Sequence, residues 1–129
     1  MTDKFRVKII GILFSPLARK ILIGRNKDEK NLSFLEGDLR YKEELDVGLK
    51  RIITEKTGFI AHNLGAVYAR NKLENKDELQ LFFLCEVTEG SEKPGANVAE
   101  LSWVKPKDIE KKLKKKLPTR LKGYILGLG

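Results

Sequence analysis

The sequence predicts an α/β protein in which a mixed β-sheet is packed between helices. Three observations lead to this prediction. Segments rich in Val, Ile and Phe recur along the chain and are separated by polar turns. One segment between them has apolar residues at spacings of three and four, and another such segment follows the last strand pattern. Strands, a helix, further strands and a final helix are the order expected for a sheet covered by helices.

The first third of the chain predicts two strands joined by a turn. Residues 5–14 are rich in β-branched and aromatic side chains and predict a strand. Residues 15–18 include a proline, whose fixed φ favours a turn. Residues 20–25 then predict the returning strand. The polar residues 26–31 predict a loop, and residues 32–35 predict a short extended segment.

The most regular helix is predicted over residues 43–57. Its apolar residues recur with helical periodicity and are Leu45, Leu49, Ile52 and Ile53. Gly58 follows directly, and glycine at this place favours the left-handed conformation that ends a helix. The periodicity therefore predicts an amphipathic helix with one face on the sheet.

The second half predicts the remaining strands and a lysine-rich helix. The predicted strands are residues 59–73, 78–87 and 100–104, with a hairpin-like turn at residues 75–77. Pro106 precedes a predicted helix over residues 107–117, and Pro118 ends it. Residues 119–126 predict a short helical turn.

Length and charge limit the classes of function. The chain has 129 residues, which suits a single domain over residues 1–129. Its formal net charge of +8 favours an anionic partner, although a solvated lysine-rich face explains the same charge. No apolar run reaches the ~18 residues that a membrane helix needs. We therefore expect no membrane partner and a cytoplasmic location, whereas the sequence does not predict the oligomeric state.

Residues 37–59 carry a recognisable spacing of glycine and charged residues. Five residues separate Gly37 from Glu43, and seven more separate Glu43 from Arg51, after which come Glu55 and Gly58. This spacing resembles the signature of the Nudix hydrolases: Gly, five residues, Glu, seven residues, then Arg-Glu-apolar-any-Glu-Glu-any-Gly-apolar. The resemblance spans roughly residues 5–115. It implies a Nudix-type α/β/α sandwich and Mg²⁺-dependent hydrolysis of nucleoside diphosphates linked to another group.

Two positions depart from the signature. In the family, the first Glu after the Arg and the second Glu of the pair are usually metal ligands or groups that activate water. Ile52 and Lys56 occupy these positions here, and only Glu55 of the three is kept. The three positions lie on one face of a helix, where carboxylates would supply the oxygens that Mg²⁺ prefers. A hydrocarbon provides no ligand and an ammonium group repels the ion, so we expect weak or absent hydrolysis.

Six residues are predicted to form the site. They are Glu55, Arg51 and Glu43 for catalysis, Lys56 and Gly37 for substrate binding, and Glu55 and Glu36 for magnesium. Four of them also have a structural interpretation. Arg51 and Glu55 are four residues apart and suit an ordinary helix ion pair, and Glu43 suits a helix N-terminus. Gly37 suits a backbone requirement, and Ile52 extends the apolar helix face.

Three functions remain open from the sequence. The first is a Nudix-fold protein with a degenerate metal site that binds a nucleotide or a nucleoside diphosphate derivative, Lys56 replacing the metal's charge. The second is an active Mg²⁺-dependent hydrolase with ligands from other segments, such as residues 86–92. The third is an RNA-binding or protein-interaction module, for which the lysines of residues 107–117 are the predicted phosphate contacts. Mg²⁺ is the expected cofactor only if the protein is active.

Overall fold

The computed structural model describes residues 6–72 and 77–129. The strands are β1 (Arg6–Ser15), β2 (Lys20–Asn26), β3 (Leu35–Asp38), β4 (Phe59–Lys72), β5 (Glu78–Gly90) and β6 (Val98–Val104). The helices are α1 (Leu45–Thr57), α2 (Ile109–Leu113) and α3 (Thr119–Leu126), and a 3₁₀ turn at Pro106–Asp108 precedes α2. Of the predicted turn at residues 75–77, the first two residues lie outside the described ranges.

The strands form one mixed sheet with the order β4-β5-β1-β2-β6. β1 lies at its centre, runs parallel to β5, and pairs antiparallel with β2 through its last residues and with β3 through its first half. The two outer pairs, β4 with β5 and β2 with β6, are antiparallel. The prediction of a mixed sheet is therefore confirmed.

Alternating side chains of the central strand β1 supply two cores on opposite faces of the sheet. Ile9 and Leu13 pack with Leu49 and Ile53 of α1. Ile10 and Ile12 pack on the other face with buried residues of α2 and α3, namely Ile109, Leu113, Leu121 and Ile125. Successive side chains of a strand point to opposite faces, so one apolar strand can hold helices on both. The predicted α/β/α sandwich is confirmed.

The lysine-rich helix is shorter than the sequence predicts. α2 ends at Leu113, because Lys114 adopts a left-handed conformation with φ of 56°. The side chain of Glu110 then accepts a 2.7 Å hydrogen bond from the backbone N–H of Leu117 and pairs with Lys122 at 2.8 Å. These contacts fold residues 114–117 into a turn rather than another helical turn, and α3 forms a separate helix after Pro118.

The basic segment stays on the surface. Its five lysines, Lys111, Lys112, Lys114, Lys115 and Lys116, are all exposed. Exposure suits a solvated face as well as phosphate contacts, so RNA binding by this segment stays a prediction. None of the helices in the described ranges is long and apolar enough to cross a membrane.

Candidate functional site

The glycine at the start of the signature packs directly on α1. A Cβ atom placed on Gly37 would lie 2.9 Å from Cγ1 of Ile52, closer than two carbon atoms normally approach. Ile52 is only 3% exposed and belongs to the core between α1 and the sheet. The structural interpretation therefore holds for both residues: glycine permits the close approach, and the isoleucine fills the space between helix and strand.

Arg51 joins the loop of residues 39–44 to the helix through hydrogen bonds. Its guanidinium group donates to both carboxylate oxygens of Glu43, at 2.7 and 2.9 Å, and to the backbone carbonyl of Asp38 at 3.0 Å. Glu43 also accepts a 3.0 Å hydrogen bond from the backbone N–H of Arg40. α1 begins at Leu45 rather than at the predicted residue 43, because the backbone of Glu44 is extended, with ψ of 146°.

The Arg51 contact also shifts the titration of Glu43. The hydrogen bonds from Arg51, followed by the one from the Arg40 backbone, lower the pKa of the Glu43 carboxyl from 4.5 to about 2. A carboxyl whose pKa is lower in the folded state stabilises the fold above the unfolded pKa. Its contribution is therefore fully present above about pH 4.5 and is lost as the pH falls towards about 2.

Replacement of Glu43 by glutamine tests this coupling. The amide keeps the shape but loses the charge, so the variant is expected to be less stable than the parent at neutral pH and to lose less stability in acid. Urea unfolding across the interval from the unfolded pKa of 4.5 down to about 2 measures the difference. Parallel stability curves for parent and variant would show that the ion pair does not contribute.

Glu55 lies among arginines rather than carboxylates. Its carboxylate is 3.6 Å from Nη1 of Arg51 and 3.9 Å from Nη2 of Arg40, and its side chain is 58% exposed. The helix ion pair with Arg51 is thus present. The structure brings Glu43, Arg51 and Glu55 into one connected group, in which Arg51 contacts both carboxylates.

Lys56, the next residue of α1, reaches the last residue of β2. Its Nζ atom donates a 3.0 Å hydrogen bond to Oδ1 of Asn26. The two residues border a cleft of about 450 Å³ whose other lining residues are Lys27, Asp28 and Asn97. The backbone N–H of Lys27 donates to the carbonyl of Asn97 at 2.8 Å, which joins the two loops that form the cleft. The predicted substrate-binding lysine therefore lies in a polar cleft.

Glu36 lies on the face of the sheet that is opposite to α1 and Glu55. Gly37 faces α1 and pairs with Ile9, so the preceding residue, which pairs with Ile10, faces the opposite side of the sheet. There Glu36 lies 3.9 Å from Lys8. Burial raises the pKa of the Glu36 carboxyl above its usual value, and the neighbouring cation Lys8 opposes the shift. The two predicted metal ligands are not brought together.

The loop of residues 91–97 closes the end of α1. The backbone N–H groups of Lys93 and Gly95 donate to the carbonyls of Thr57 and Lys56, at 2.8 and 3.1 Å. These bonds satisfy carbonyl groups that a helix C-terminus leaves without partners. The carboxylate of Glu92 accepts a 2.7 Å hydrogen bond from Nε1 of Trp103. Glu92 belongs to residues 86–92, which the sequence offered as a source of extra metal ligands, and its carboxylate therefore already has a hydrogen-bond partner.

The side chains at the helix do not fit a magnesium site. Mg²⁺ requires a nearly octahedral shell of oxygen atoms, several of them from carboxylates or phosphates. The three signature positions present the hydrocarbon of Ile52, the ammonium of Lys56 and one carboxylate, Glu55, that is paired with arginines. Within residues 6–72 and 77–129, no three Asp, Glu, His or Cys side chains come together as a metal-binding group.

Comparison with known proteins identifies the fold. The model of the NUDIX domain family matches residues 4–125. None of the curated protein sequences that were compared with the chain matches it significantly. Among solved structures, a NUDIX hydrolase from Nitrosomonas europaea superimposes with a TM-score of 0.79 at 16% identity, covering 96% of this chain and 90% of that one.

Two further solved structures share the fold. A MutT protein from Methanosarcina mazei Go1 has a TM-score of 0.76 at 16% identity, covering 99% of this chain and 95% of that chain. An ADP-ribose pyrophosphatase from Streptococcus suis 89-1591 has a TM-score of 0.68 at 15% identity, covering 95% and 87%. At these identities the similarity establishes the architecture alone.

Proposed function

Because this chain belongs to the Nudix family, we propose that it binds a nucleotide or a nucleoside diphosphate derivative without a metal ion and hydrolyses it slowly or not at all. The observation that carries the proposal is the position of Lys56. Its ammonium group lies on the helix where the family signature has a glutamate, and it borders the cleft of about 450 Å³.

The cleft offers groups that suit phosphate oxygens. An ammonium group has three N–H donors, and the contact with Asn26 uses one of them. The side-chain amide of Asn97 adds a neutral donor and Lys27 adds a second positive charge, whereas the amide nitrogen of Asn26 already donates to Glu29 at 2.6 Å. Asp28 also borders the cleft and offsets one charge, so the lining keeps a net positive charge of one. Charge-assisted hydrogen bonds of this kind are the stronger ones in proteins.

The same residues supply little for hydrolysis. In Nudix hydrolases a divalent cation polarises the phosphoryl oxygens and activates a water, and the donor set here does not suit that ion. Glu55 contacts the guanidinium groups of Arg51 and Arg40. Glu43 is held by Arg51 and the loop backbone. Both carboxylates therefore stabilise the loop–helix junction. The choice of a nucleoside diphosphate as the ligand class rests on the family and on the structural neighbours.

Calorimetric titration with ADP tests the proposal. Because Mg²⁺ complexes free ADP and lowers its charge, we expect the parent protein to bind ADP in EDTA at least as tightly as in excess Mg²⁺. Lys56→Ala is expected to weaken binding about 10- to 100-fold, since a hydrogen bond to a charged group contributes about 1.5–3 kcal/mol. Lys50→Ala is the matched control, because Lys50 belongs to the same helix and pairs with Asp46 at 3.2 Å away from the cleft.

Three results would overturn the proposal. ADP binding that requires Mg²⁺ would show that a metal site exists. An unchanged affinity in Lys56→Ala would show that this lysine does not neutralise the phosphates. Efficient Mg²⁺-dependent release of phosphate or of a nucleoside monophosphate by the parent protein would support the active hydrolase instead.

A further inference from the structure

A second concave surface lies beside the loop that precedes α1. It encloses about 530 Å³, and its lining residues are Arg6, Val7, Asp38, Leu39, Arg40, Tyr41, Lys42 and Glu43. None of these residues lines the Lys56 cleft. This surface, which we call the Tyr41 pocket, is therefore separate from the Lys56 cleft, although its lining includes Glu43 of the family signature.

Tyr41 presents its ring to solvent from a fixed loop. The residue is 90% exposed, and the ammonium of Lys42 lies 5.5 Å from the centre of its ring. The loop is held by reciprocal hydrogen bonds between Arg40 and Glu43 and by a 2.9 Å bond from the N–H of Leu39 to the carbonyl of Val7. An exposed aromatic ring on a restrained loop can stack on a ligand with little loss of conformational freedom.

The charges around the ring leave a positive excess. Arg6 pairs with Asp38 at 2.7 Å. Glu43 forms a salt bridge with Arg51, which does not line the pocket. Both carboxylates of the lining are thus neutralised within the described part of the chain. Arg40 makes only a long 3.9 Å contact with Glu55 and is 65% exposed. Arg40, Lys42 and Arg6 against two carboxylates leave the lining with a net positive charge of one beside an aromatic face.

We propose that the Tyr41 pocket binds a nucleoside 5′-phosphate, with the base stacked on the ring of Tyr41 and the phosphate held by Arg40 and Lys42. An aromatic face and adjacent cations are the combination that binds unpaired bases and their phosphates. A free nucleotide and the 5′-phosphorylated end of a single-stranded RNA present this same chemistry. The site does not depend on the binding proposed at Lys56.

The test uses the Lys56→Ala protein, so that ligand in the other cleft does not mask the result. AMP and a short 5′-phosphorylated oligoadenylate are titrated by calorimetry. Tyr41→Leu is expected to weaken both about tenfold, in line with the loss of one stacked base. Tyr41→Phe, which keeps the ring, is expected to bind like the parent, and ribose 5-phosphate, which has no base, is expected to be insensitive to Tyr41→Leu.

The outcomes decide between the proposal and its alternatives. Equal affinity of AMP and the oligonucleotide identifies a free nucleotide as the ligand, whereas a tighter oligonucleotide identifies an RNA end. An affinity unchanged by Tyr41→Leu, or loss of binding in Tyr41→Phe as well, would overturn the stacking proposal. No binding of either probe would overturn it too. Failure of the Lys56 proposal would leave the effect of position 41 unaffected, because the compared variants share the Lys56→Ala background and differ only at that position.

Discussion

Replacing Ile52 with glutamate is expected to lower the free energy of unfolding by about 4 kcal/mol. The substitution removes a core side chain that is 3% exposed and puts a carboxylate against Gly37. Loss of a large apolar side chain from a core costs about 2–5 kcal/mol, and burial of an unpaired charge adds to this. Urea unfolding monitored by circular dichroism in the presence of EDTA measures the change.

Two variants serve as controls for the Ile52 substitution. Val47→Glu makes a similar apolar-to-acid change on the same helix, at a position that is 54% exposed, and is expected to change stability by less than about 0.5 kcal/mol. Ile52→Leu conserves volume and is expected to cost less than about 1.5 kcal/mol. If Ile52→Glu were as stable as Val47→Glu, position 52 would accommodate a solvated carboxylate. That result would contradict the packing of Ile52 in the core.

Gly95→Ala is expected to destabilise the protein by about 3 kcal/mol. A Cβ atom at this position would collide with the backbone carbonyl of Glu55 in the last turn of α1. Overpacking costs about 1–3 kcal/mol, and the upper end applies because the obstacle is main chain. The loop of residues 91–97 would have to leave α1, so Asn97 would also shift and ADP affinity is expected to fall.

Gly123→Ala is the matched control for Gly95→Ala. Gly123 lies inside α3, and no atom is within 4 Å of a Cβ atom placed there. Alanine is favoured over glycine in a helix by about 0.5–1 kcal/mol, so this variant is expected to gain stability. Thermal and urea unfolding of the two variants are compared with the parent. Equal stability of both variants would contradict the packing of the 91–97 loop on α1.

Local patterns predicted much of the fold. The run of β-branched residues around Ile9–Leu13 predicted β1, and Gly58 predicted the end of α1, where it adopts φ of 79°. The end of α2 was missed, since the sequence pattern stays amphipathic through residue 117. The left-handed Lys114 depends on the tertiary contacts of Glu110 with Leu117 and Lys122, which no local pattern reveals.

The candidate site was predicted less completely. The helical spacing of Arg51 and Glu55 predicted their ion pair, which is present at 3.6 Å. The contact of Arg51 with Glu43 was not predicted, because it depends on how the loop before α1 folds back on the helix. Asn26, the partner of Lys56, and Asn97, which lines the same cleft, were missed, since three distant segments must meet to form that cleft. Placing Glu36 away from α1 required the register of β3 on β1, which a sequence does not supply.

The proposed function requires that α1 holds phosphate through Lys56 and does not hold a divalent ion. Crystals soaked with Mn²⁺ and ADP test it directly, because anomalous scattering locates the metal. We expect the diphosphate beside Lys56 and Asn26, with no anomalous peak in coordination range of Glu55. A manganese ion bound to Glu55, with further carboxylates drawn in from other segments, would contradict the account.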